Sequence, residues 1–177
     1  MSDETGSRTD NDEQQIVTIF DVPPENEHHE LKHFILGRPQ DTLEECLDWF
    51  DEILEVVLSY NLKIMIKPKY AIKNYASAYQ LYFQKLIEDN GDSIKLINPY
   101  CLPEDIIKKS RICISKPFTS VHYVANSLKI PSLYYLPEKF NSVSVDHDLD
   151  FSTNICFGKD KLKLIINQIK GNDEYSW

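Results

Sequence analysis

Glycine is scarce in this chain, and none of it stands in a phosphate-binding pattern. Five Gly occur in 177 residues, with neither G-x-G-x-x-G nor G-x-x-x-x-G-K-[ST] among them. That argues against a dinucleotide oxidoreductase and against a P-loop NTPase. No apolar run approaches the roughly 20 residues that a membrane helix needs. Met1 is followed by polar and acidic residues where a secretory signal would be apolar, which points to the cytoplasm. The four cysteines, Cys46, Cys101, Cys113 and Cys156, form no C-x-x-C and no zinc-type grouping with histidine. They read as reduced, largely buried thiols. Positive charge is also short: 19 Lys and Arg against 28 Asp and Glu leave a net charge of −9. That argues against a broad nucleic-acid surface, which needs clustered basic residues. It does not argue against a small anionic ligand, which feels local charge.

What is present is an alternation of short β-branched runs and amphipathic stretches. Residues 1–14 are polar and acidic without periodicity and read as a disordered tail, as do residues 172–177. The domain is expected over residues 15–171. Ile16–Phe20 is a strand stopped by Asp21-Val22-Pro23-Pro24. Residues 25–41 read as a long loop with a short helical piece. Thr42-Leu43-Glu44-Glu45 is a capping-box pattern, and Leu43, Cys46, Leu47, Phe50, Ile53, Leu54, Val57 and Leu58 follow at helical spacing. Further strands are expected at 62–66, 94–97, 111–115, 131–135 and 154–157. Further helices are expected at 75–88, closed by Asn90-Gly91, and at 103–109. Another follows Thr119 or Ser120 as cap, and a last one follows Asp160. Such alternation implies an α/β, Rossmann-like parallel sheet of about six strands with helices on both faces.

In an open parallel sheet, ligands bind beyond the carboxyl ends of the strands. The turns after Phe20, Ile66 and Ser115 are therefore candidates. Lys116-Pro117-Phe118-Thr119-Ser120 joins a strand to a helix start, with two hydroxyls and one ammonium. These groups suit a phosphate. On the residues alone, an ordinary N-cap beside a surface lysine is the default. Lys67-Pro68-Lys69, with Lys73 beyond, adds a second basic turn. Were the two turns adjacent, their lysines would face one crevice and concentrate positive potential. His28, His29 and His33, and Asp146-His147-Asp148, read as solvated loops; no metal site is expected.

Three stretches resemble the C-terminal, donor-binding half of GT-B glycosyltransferases, in particular bacterial surface-polysaccharide biosynthesis proteins. Ile16–Pro24 looks like the strand and turn opening that half. Ile64–Lys69 looks like its "IKPHP" strand end. Arg111–Val121 with Lys129–Tyr135 looks like its "IS-PfTS…GiPsiyY" segment, the most specific of the three. The resemblance spans Ile16 to about Lys170. It implies a nucleotide-sugar donor, with Thr119 and Ser120 holding its phosphate and Lys67, Lys69, Lys116, Phe118 and Glu138 around it. It implies no metal, because a helix dipole and basic side chains stabilise the leaving phosphate. It assigns no catalytic residue in this chain. Lys69 stands where the family has histidine, and Leu136 stands where it has aspartate before proline. The acceptor-binding half has no counterpart here, which leaves a fragment of a longer protein, a subunit completed by an acceptor domain on a partner chain, or an inactive relic. Such a partner chain could bring the protein to the inner membrane. The alternative is a non-catalytic interaction domain or a partner-dependent subunit of the same fold.

Overall fold

The computed structural model describes residues 16–21, 42–117, 119–138 and 154–171. Six strands form one sheet: β1 (Ile16–Phe20), β2 (Lys63–Lys67), β3 (Ile94–Leu96), β4 (Ile112–Ser115), β5 (Ser132–Leu136) and β6 (Ile155–Phe157). Their order is β3-β2-β1-β4-β5-β6, and every pairing is parallel. This is the doubly wound order, with its reversal between β1 and β4.

Period-2 alternation divides the sheet's two faces. Val17 and Ile19 of β1, Ile64 and Ile66 of β2, and Ile112 and Ile114 of β4 face one way. They pack under α1 (Leu43–Ser59), α2 (Ser77–Asn90) and α5 (Gly158–Gly171). Phe20, Met65 and Cys113 face the other way, under α3 (Pro103–Ile107) and α4 (Val121–Ser127). The first face carries the larger core. There Phe50 of α1 meets Phe83 of α2 edge-on at 5.3 Å, and Phe83 meets Tyr79 at 5.0 Å.

The helix ends follow from local chemistry. Thr42 Oγ1 accepts from the Glu45 N–H at 3.1 Å, and the Thr42 N–H donates to Glu45 Oε2 at 3.0 Å, completing the expected capping box. Arg111 donates through Nε to the Ile169 carbonyl at 2.9 Å, placing a cation at the carboxyl end of α5. Trp49 Nε1 donates to the Tyr135 carbonyl at 2.9 Å and ties α1 to β5.

Asn90-Gly91 closes α2 as expected, with Gly91 at the C-cap in right-handed backbone, φ −55°. Other ends differ from expectation. Left-handed residues follow α1 at Asn61 and α4 at Lys129. After α4, Ile130 N–H donates to the Ala125 carbonyl and Lys129 N–H to that of Asn126, a Schellman closure. α5 starts at Gly158, and Asp160 lies in its first turn instead of capping it. A short 3-10 turn, Ile72–Asn74, was not foreseen. The expected tails, the 25–41 loop with its three histidines, Asp146-His147-Asp148 and Phe118 lie outside the described residues.

Gly158 has φ +73°, and a Cβ there would collide with the Glu138 carboxylate. Gly158→Ala is therefore expected to destabilise the fold by roughly 1–2 kcal/mol from the left-handed backbone alone. Urea unfolding of the two proteins measures this. An unchanged midpoint would contradict the left-handed backbone at Gly158.

Candidate functional site

The register of the central strands dictates what gathers at the carboxyl edge. Phe20 of β1 pairs with Lys67 of β2 on one side and Ser115 of β4 on the other. Asp21 and Lys116 are the next residues on β1 and β4. By alternation they share the face of Ile19 and Ile114, the face covered by α1 and α2.

Their contacts agree with that placement. Asp21 is 3% exposed. Its Oδ1 accepts from the Tyr79 hydroxyl of α2 at 2.7 Å. Its Oδ2 has no hydrogen-bond partner among the described residues. The Tyr75 phenol and the Lys116 ammonium lie close enough to favour its ionised form. Burial outweighs them and pushes the carboxyl up to about 6. Lys116 Nζ donates to Cys46 Sγ of α1 at 3.0 Å and stands 5.6 Å from the centre of the Trp49 ring. Burial raises the phenols of Tyr75 and Tyr79, which stay neutral donors. A carboxylate, an ammonium, two phenols and a thiol thus form one buried polar cluster at the strand-order reversal.

Lys67 belongs elsewhere. It alternates with Met65 and takes the opposite face, where Nζ donates to the Pro99 carbonyl at 2.7 Å and to that of Pro68 at 3.3 Å. Burial lowers its pKa. The expectation of lysines facing one crevice is corrected here. β1 stands between β2 and β4, and parity sends Lys67 and Lys116 to opposite faces. Lys69 and Lys73 are exposed, and Lys69 Nζ lies 5.4 Å from the Tyr70 ring centre.

The Pro117–Ser120 turn follows β4 directly. Thr119 Oγ1 donates to Ser115 Oγ at 3.0 Å, and the Tyr134 hydroxyl donates to the Thr119 carbonyl at 3.0 Å. Ser120 occupies the N-cap position of α4, but its hydroxyl caps no helix N–H and is exposed. The expected Ser/Thr cap is therefore not formed. Ser120 already has helical φ and ψ of −72° and −8°, unlike the extended backbone that a capping side chain requires. Glu138 follows β5 and lies over Gly158 at the start of α5, where the positive end of the helix dipole favours a carboxylate.

A family model described as "Polysaccharide biosynthesis PFTS motif protein" matches residues 3–163. The chain belongs to that family. Pro117-Phe118-Thr119-Ser120 spells the motif of the family's name, and it stands at the carboxyl end of β4. Polysaccharide biosynthesis is thus the process with which the chain is associated. No curated protein matches. Among solved structures, the UDP-GlcNAc 2-epimerase of Methanocaldococcus jannaschii, in complex with UDP-GlcNAc and UDP, is similar at 16% identity. The match has a TM-score of 0.47 over 92% of this chain, and the chain spans 40% of that one. Among the described residues, no helix is long and apolar enough to cross a membrane, and no group of His, Cys, Asp and Glu could hold a metal ion.

Of this cluster only Lys116 was singled out from sequence as a site residue; Asp21, Tyr75, Tyr79 and Cys46 were not, although for Asp21 the signal was available. Asp21 continues the parity of Val17 and Ile19, so an acidic residue was due on a core-facing position. Its raised carboxyl has a consequence for stability. Below pH 4 both folded and unfolded chains hold the proton, and the site costs nothing. Between pH 4 and 6 the unfolded chain ionises first, so stability falls as pH rises. Above pH 6 the full penalty of about 3 kcal/mol applies. Asp21→Asn is expected to unfold at higher temperature than wild type at pH 7.5, with the difference vanishing near pH 4. Thermal melts at the two pH values check this; a variant destabilised equally at both would contradict the cause.

Proposed function

We propose that the chain is the donor-binding domain of a glycosyltransferase that uses a nucleotide-activated sugar in surface polysaccharide assembly. One observation carries the reading: the family's own motif lies beyond β4, beside β1, at the reversal of a doubly wound sheet. That location is where such sheets receive ligands. The resemblance of Ile16–Pro24, Ile64–Lys69 and Arg111–Val121 with Lys129–Tyr135 to GT-B donor halves supports the same reading.

Within it, Lys116 supplies the charge that draws the donor's phosphates into an otherwise acidic protein. Thr119 and Ser120 supply hydroxyls at the turn. The exposed Ser120 hydroxyl, which bonds no helix N–H, is the more available of the two. α4 has seven residues, so the side chains carry more of the task than its dipole. Lys67 is already committed to two backbone carbonyls and contributes to the field at a distance. Lys69, Phe118 and Glu138 complete the proposed surroundings. An acceptor domain would supply the rest of the transferase and its base.

Isothermal titration with UDP-, GDP- and CMP-sugars tests the donor role. Wild type is expected to bind at least one of them. The double substitution Lys116→Ala with Ser120→Ala is expected to weaken that binding by at least about tenfold, the scale of one charge-assisted hydrogen bond, while the fold survives. Absence of binding to all three classes would refute the donor site. Unchanged affinity in the double variant would move it elsewhere.

A further inference from the structure

We propose that Asp21 is a proton-coupled positioning residue, taking up a proton from solvent when a phosphate-bearing ligand settles beside Lys116. The proposal rests on the donor reading above and adds a property that reading does not require.

The geometry sets up a competition. Asp21 and Lys116 stand side by side on neighbouring parallel strands, one residue past the paired Phe20 and Ser115. The carboxylate is buried, satisfied on one oxygen by Tyr79 and unpartnered on the other among the described residues. The field of the Lys116 ammonium helps to keep it ionised. A ligand phosphate beside Lys116 offsets that field and adds negative charge of its own. Both changes favour the protonated carboxyl.

Among the described residues, the surrounding groups leave this role to Asp21. Tyr79 from α2 and Tyr75 from the segment before it are raised by burial and remain neutral. Cys46 from α1 contacts Lys116. Lys67 from β2 sends its ammonium to the other face, toward Pro99. Asp21 itself sits at about 6, close enough to neutrality for a ligand to move it. Protonated, it no longer competes for the lysine. By reciprocity, acid tightens ligand binding to the same degree that the ligand promotes protonation.

The probe is whichever of UDP-N-acetylglucosamine, GDP-mannose and CMP-N-acetylneuraminate binds wild type most tightly, because phosphodiesters of this kind do not titrate near neutrality. A rise of about one unit in the Asp21 pKa on binding corresponds to tenfold in affinity at the limit. Affinity is therefore expected to fall about five- to tenfold from pH 5.5 to pH 8. Calorimetry in buffers of differing ionisation enthalpy is expected to read uptake of about half a proton per ligand at pH 6.5. Asp21→Asn is expected to bind with no such slope, and at pH 8 at least as tightly as wild type. Binding that is flat with pH in wild type, without proton uptake, overturns the role of Asp21 and leaves the donor reading intact. A slope that persists in a folded Asp21→Asn overturns it equally. Should that variant not fold, proton uptake by wild type decides alone. Failure of wild type to bind any of the three probes overturns both the donor reading and this proposal.

Discussion

β1 is paired on both sides, with β2 and β4 in parallel, and the arrangement of the edge depends on that double pairing. The register locks Phe20 opposite Lys67 and Ser115 together. A shift of one residue would turn Val17 and Ile19 out of the larger core and Asp21 with them. The hydrophobic demand of pairs such as Val17 and Ile19, or Ile112 and Ile114, thus fixes where a handful of polar side chains must stand. Asp21 and Lys116 are buried because their neighbours two residues back are core residues. The polar cluster is the continuation of the core's own parity past the strand ends.

That origin explains its composition. A carboxylate and an ammonium taken out of water are costly unless each finds partners. The elements that pack on the sheet supply them: Cys46 and Trp49 of α1 for the lysine, and Tyr79 of α2 with Tyr75 just before it for the aspartate. One aspartate oxygen is left without a partner among the described residues. Retaining an unsatisfied buried acceptor costs about 1–3 kcal/mol, which hydrophobic residues of similar size would avoid. That cost falls at the edge where doubly wound sheets in general receive ligands.

Much of the fold was legible in the sequence. Compact β-branched runs such as Ile16–Phe20 and Ile112–Ser115 declared themselves by composition, and the capping box at Thr42–Glu45 marked the start of α1. These signals are local. Helix closures were harder. Asn90-Gly91 marked the end of α2, while the left-handed positions after α1 and α4, Asn61 and Lys129, carry no glycine to announce them. The turn at Pro117–Ser120 was legible because it joins a clear strand to a clear helical stripe. The relation between the two basic turns was not. Strand order decides that β1 lies between them, and parity decides that Lys67 and Lys116 diverge; neither can be read from spacing along one chain. Asp21 was legible in principle, as an acidic residue on the core parity of its strand, but its partners come from helices far away in sequence.

The central claim is that ligand binds at the reversal between β1 and β4. Backbone amide shifts on titration with a nucleotide-sugar test it most directly. The account predicts the largest changes at Asp21, at Lys116 and at Thr119 to Val121. It predicts little change at the opposite edge of the sheet, around Leu62, Arg111 and Ser132. Changes concentrated at that opposite edge, with Asp21 and Lys116 unmoved, would contradict it.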